Sequence, residues 1–100
     1  MAVEPANSPL LSAGWAGSHG IQGIGANFVP AILDTSLIDE VATVTDTDAI
    51  DTARSLNRKG YQVGISAGAN VWVAARFTAT GMHTVTLFPD HADRYCQLLR

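Results

Sequence analysis

One hundred residues leave room for one core, and 47% apolar against 15% charged is rich in core-formers but short of solvating surface. Part of that surface is therefore expected to meet other protein, while a net charge of −3 argues against a nucleic-acid or anionic-membrane partner. The single cysteine, Cys96, excludes an internal disulfide, has no spaced Cys or His partners for zinc, and points to the cytoplasm.

The opening residues carry neither a basic n-region nor an apolar h-region, so no signal peptide is expected. No apolar run approaches the roughly 20 residues of a membrane span. Residues 5–20 are dense in Pro, Gly, Ser and Asn and read as a long loop. Residues 19–30, HGIQGIGANFVP, set Gly20, Gly23 and Gly25 within six positions at the edge of an apolar run. Such a backbone suits close approach to something small. Residues 21–33 are expected to hold one short helix ended near Pro30, and residues 36–39 a further helical turn.

Residues 41–45 are β-branched apart from one alanine and predict a buried strand. Thr45 then supplies an N-cap, with Asp46 and Asp48 in the first turn. The helix continues through Ala49, Ile50, Ala53 and Leu56 and stops at Arg58, Lys59 and Gly60. Residues 61–65 predict a second strand. Ser66, Ala67 and Gly68 turn into a second helix that reaches about Thr80, with Gly81 as its stop. Residues 84–88 predict a third strand, ended by Pro89 and Asp90, and residues 93–99 a terminal helix. This alternation predicts an α/β class with a parallel sheet. Ligands of such sheets sit at the carboxyl ends of strands, which selects residues 45–47, 65–68 and 88–91.

Of these, the turn at Ser66 is the best candidate site. Its hydroxyl either meets a ligand at the sheet edge or caps the helix, with Gly68 keeping the first helical turn open. The Gly23-Ile24-Gly25 loop either cradles a phosphate or is a tight turn needing positive φ. A dinucleotide fingerprint is not met, because Phe28 stands where its third glycine belongs and no strand precedes the loop. His19, His83 and His91 show no metal spacing. Trp72 reads as a packing residue. Lys59, the only lysine, complements a helix dipole and lacks the desolvated surroundings of a nucleophilic amine.

Five stretches in order resemble cysteine synthase, also called O-acetylserine sulfhydrylase. They are residues 3–12 (VEPANSPLLS), 19–30, 45–53, 64–69 (GISAGA), and the tail LFPD with Arg94 and Tyr95. That family belongs to the fold-type II, tryptophan synthase β-like enzymes that use pyridoxal 5′-phosphate. The resemblance runs from about Val3 to the end and covers the family's C-terminal portion. It implies a βαβα segment of the large C-terminal domain. Residues 1–100 would form one segment, with 1–33 as substrate-cavity loop region and 40–100 as a βαβαβα portion.

The resemblance also implies roles. The serine matching Ser66 hydrogen-bonds the cofactor's pyridine nitrogen, and a serine there makes a more muted electron sink than an acid would. This suits β-replacement, in which O-acetylserine loses acetate and takes up sulfide to give cysteine. Gly23, Ile24, Gly25 and Ala26 match a loop that lines the substrate cavity and shifts as the site closes. The Schiff-base lysine, an asparagine at the ring hydroxyl and a Gly/Thr-rich phosphate loop precede this portion in the family and have no counterpart here. No catalytic residue is therefore expected in the segment, and the isolated chain is expected to be inactive. A homodimer is implied, with serine acetyltransferase as a further partner. Three positions depart from the family pattern: Gly20 replaces a common lysine, Ala67 a second serine, and Asn27 a small residue. The alternative is a non-catalytic α/β binding or interaction module derived from this fold.

Overall fold

The computed structural model describes residues 1–21 and 23–92; the helix expected over 93–99, with Cys96, lies outside the described residues. Strands β1 (Ala2–Pro5) and β2 (Val41–Val44) pair in parallel, in register from Ala2 opposite Val41 to Pro5 opposite Val44. A parallel pair needs a long crossover, because its strands run the same way. Here the crossover is residues 6–40, and it carries the glycine loop.

The crossover is more structured than its composition suggests. Helix α1 (Leu10–Ala13) sits inside the stretch expected to be loop. The cause is Glu4, whose buried carboxylate accepts from the Leu11 (2.8 Å) and Ser12 (2.9 Å) backbone N–H groups. The turn expected at 36–39 is a 3-10 helix at Thr35–Leu37, with Asp34 accepting from the Ser36 N–H. The helix expected within 21–33 does not form. Gly23, Gly25 and Asn27 adopt φ of 95°, 63° and 64°, and three left-handed residues in five cannot continue a right-handed helix.

After β2, Thr45 leaves the strand and caps helix α2 (Asp46–Arg58), its hydroxyl accepting from Asp48 N–H at 3.1 Å. Asp46 and Asp48 lie in the first turn and Arg58 in the last, complementing the helix dipole. Lys59 is the C-cap, and Gly60 follows at φ 101°. Helix α3 (Ile65–Thr78) then packs against α2 through small residues. At Gly68 the approach is closest. A Cβ there would collide with the Ala49 carbonyl oxygen and lie 2.8 Å from Ala53 N and Cβ. Gly68 thus serves helix–helix contact rather than the opening of a turn.

Two expected strands are absent among the described residues. Residues 61–65 contribute a single antiparallel bridge, Val63 to His91, because Ile65 is already the first residue of α3. Residues 84–88 form no ladder, and Val85 and Leu87 stand 94% and 74% exposed. Their β-branched composition suits a strand, but no ladder hydrogen bonds form there among the described residues. The sheet is therefore two-stranded where three strands were expected. The core is correspondingly small, built from Ile21, Val44, Ala49, Ile65, Ala69 and Val73. Ile21 carries the start of the glycine loop into it.

Candidate functional site

The site grows from the first turn of α3. Its N-cap is Gly64, which has no side chain to offer, so Ser66 stands one turn position inside the helix and is not its cap. The capping role comes from elsewhere. Asp90 brings its carboxylate across the chain and accepts from Ser66 N–H through Oδ2 and Ala67 N–H through Oδ1, each at 3.1 Å. Its main chain is fixed as well, since Gly64 N–H donates to the Asp90 carbonyl at 3.3 Å. Asp90 sits in the 88–91 segment selected by the strand-end rule, but its role was not visible in sequence. A carboxylate 24 positions beyond the helix it caps leaves no local spacing to read.

Ser66 is 2% exposed. Its hydroxyl faces Gly23: a Cβ built on that glycine would lie 3.3 Å from Ser66 Oγ. Among the described residues the hydroxyl makes no hydrogen bond, and its oxygen remains open to a partner. Gly23, with φ 95° and no side chain, leaves the space beside it clear.

The other loop residues divide. Ile24 packs against the core. Gly25 and Ala26 line a separate cavity of about 160 Å³, together with Glu4, Ser8 and Phe28. Gly25 is glycine because a Cβ would come within 2.6 Å of both His19 Nε2 and Pro5 Cγ. So the structure brings Gly23 to Ser66, and turns Gly25 and Ala26 toward a different space.

The loop is held by a hydrogen-bond frame. Ile21 N–H donates to His19 Nδ1 (3.1 Å), so the imidazole proton sits on Nε2, which donates to the Gly25 carbonyl at 2.9 Å. Ser8, 1% exposed, donates from Oγ to Asn27 Oδ1 (2.6 Å) and accepts from Gly17 N–H (3.1 Å). Gly20 N–H donates to Asp46 Oδ2 at 2.8 Å, tying the loop to the start of α2. His19 and Asn27 are therefore framework residues of the loop, a role their isolated occurrence in sequence did not reveal.

The remaining chemistry-bearing residues stand apart. Lys59 is exposed at the C-terminal end of α2. No group of three His, Cys, Asp or Glu suited to a metal occurs among the described residues. An open groove of about 780 Å³ runs between residues 60–63 and 88–91, with Tyr61 and Phe88 edge to face at 6.0 Å, but neither Ser66 nor the glycine loop lines it. The site is thus a single wall: one unpartnered hydroxyl, one bare glycine, and a carboxylate behind them.

No family model matches the chain. It is 56% identical over 95 residues to cysteine synthase B of Campylobacter jejuni, covering 93% of this chain and 32% of that protein. It is 41% identical to cysteine synthase A of Escherichia coli K12, covering 95% and 33%. A solved cysteine synthase from Entamoeba histolytica superposes with a TM-score of 0.88 at 34% identity, over 96% of this chain and 30% of that one. The chain spans about a third of the length of the curated relatives it matches.

Proposed function

This chain belongs to the cysteine synthase family, and from that premise we propose that it works as the C-terminal part of a longer enzyme that makes cysteine from O-acetylserine and sulfide. The cofactor in this reading is pyridoxal 5′-phosphate, which supplies an electron sink when bound. One observation carries the assignment within this chain: the Ser66 hydroxyl, with no hydrogen bond to another described residue, lies beside the bare backbone of Gly23. A ring nitrogen is a partner of the right size and polarity for that hydroxyl. In this reading Gly23, Ile24, Gly25 and Ala26 form the loop bordering the substrate, Gly23 through its backbone beside Ser66 and the other three by holding the loop's shape.

The fit is to the ring end of the cofactor. The N-terminus of α3 would ordinarily attract a phosphate, but Asp90 already occupies two of its N–H groups. The phosphate cradle and the covalent lysine therefore belong to the part of the enzyme that this segment does not supply. Lys59, exposed at a helix end, is no substitute. No helix among the described residues is long and apolar enough to cross a membrane. A cytoplasmic homodimer, with serine acetyltransferase as a docking partner, completes the reading.

Ser66→Ala in the holoenzyme tests it. Loss of one hydrogen bond should shift the bound cofactor's absorbance and weaken its binding about tenfold, with binding retained. An unchanged spectrum would remove Ser66 from the ring nitrogen, and complete loss of cofactor would show that the phosphate contacts do not dominate.

The exposed Lys59 and the exposed apolar stretch at 84–88 favour one second reading, a non-catalytic interaction module. The reading frame upstream of Met1 separates the two. A lysine in a Ser-x-Lys context and a Gly/Thr-rich loop belong to the enzyme reading alone.

A further inference from the structure

We propose that Asp90 is the positioning residue for Ser66, and that its charge also orients the cofactor with the ring end toward α3. The inference rests on the Ser66 assignment above. It begins from Gly64, an N-cap without a side chain. A helix start leaves its first N–H groups unsatisfied, and a local serine or aspartate normally supplies the acceptor. Here the acceptor arrives from Asp90, whose two oxygens are divided between the adjacent N–H groups of Ser66 and Ala67.

Two consequences follow from that division. The two-point grip fixes the backbone of Ser66 in the helical turn, so its hydroxyl is directed at Gly23 without any hydrogen bond of its own to another described residue. The carboxylate also places negative charge where a helix N-terminus would otherwise draw an anion. A phosphate is repelled from this end, while an uncharged ring edge is not. The grip is set independently of the side chain. Gly64 N–H donates to the Asp90 carbonyl, and Ala92 N–H donates to the Gln62 carbonyl at 3.4 Å, which pins residues 90–92 beside residues 62–64.

A double-mutant cycle in the holoenzyme tests the proposal, using Asp90→Ala, Ser66→Ala and both together. The readouts are the bound cofactor's absorbance and its dissociation constant, with urea midpoint of the apoenzyme as the stability control. If Asp90 acts through Ser66, each single variant shifts the absorbance in the same direction and weakens cofactor binding about tenfold, and the double adds less than about twofold more. Asp90→Asn, which keeps one acceptor oxygen, should recover part of the spectrum. It also serves if Asp90→Ala does not fold. Additive losses, or a lowered urea midpoint with an unaltered spectrum, would overturn the proposal and leave Asp90 as a helix cap alone. A silent Ser66→Ala would sink the assignment of Ser66 itself, whereas an effective Ser66→Ala beside a silent Asp90→Ala would sink only this inference.

Discussion

Single atoms decide much of this chain. Gly68 is the tightest point between α2 and α3, where an added methyl group would press on the Ala49 carbonyl and on Ala53. Gly68→Ala should cost about 1–3 kcal/mol, the usual range for overpacking, and lower the urea midpoint of the protein. An unchanged midpoint would mean the helices separate freely. Thr45→Ala removes the side-chain acceptor that caps α2 and should cost about 1 kcal/mol in the same assay. These two residues differ in how openly the sequence announces them. Thr45 is legible because a cap acts on a neighbour three positions away. The packing role of Gly68 is not, since it depends on a helix nearly twenty residues earlier. Asp90 was hidden for the same reason, and the capping alternative for Ser66 fails because Gly64 takes that position.

At the level of elements, α2 and α3 follow from apolar spacing, acids at the start and glycine at the end, all local. The strands expected at 61–65 and 84–88 do not form, because composition records a preference for extended backbone and says nothing of a partner edge. The same limit applied to α1, which Glu4 nucleates from the preceding strand. Short elements are also the most exposed to solution conditions. The Asp34 carboxyl is held below its ordinary range, first by the Ser36 hydroxyl and then by the Ser36 N–H. A lowered pKa means that the ionised form favours the turn. The contribution is complete above the unfolded carboxylate value near about 4 and disappears as pH falls through the folded value. The exchange protection factor of the Ser36 amide, corrected for the intrinsic pH dependence, should therefore fall on acidification in the native chain, and Asp34→Asn should abolish that fall. A pH-independent protection factor in the native chain would contradict this origin for the turn.

At the scale of the whole molecule, large apolar side chains stand in solvent. Ile32 and Val85 are each 94% exposed, Leu37 and Leu87 are more than 70% exposed, and 84–88 takes part in no ladder. Exposed apolar segments with free backbone donors and acceptors seek a strand edge. The isolated 100-residue chain should thus associate, giving a light-scattering mass above that of a monomer. A monomer with a cooperative urea transition would favour the interaction-module reading. Mixed with pyridoxal 5′-phosphate, the isolated chain should give no lysine-dependent absorbance band, and a band lost on Lys59→Ala would refute that.

The parallel pairing of β1 with β2 also sets an order of events. Its partners lie about forty residues apart, so closing the intervening loop costs about 3 kcal/mol of chain entropy before any ladder bond forms. The contacts between α2 and α3 span far shorter loops and can form first. During synthesis at about 5–20 residues per second, β1 leaves the ribosome some two to eight seconds before β2 emerges to receive it. The glycine loop lies wholly within that interval of chain. It therefore takes its working shape only when the ladder closes, and the surface facing Ser66 is among the last parts of the molecule to be assembled.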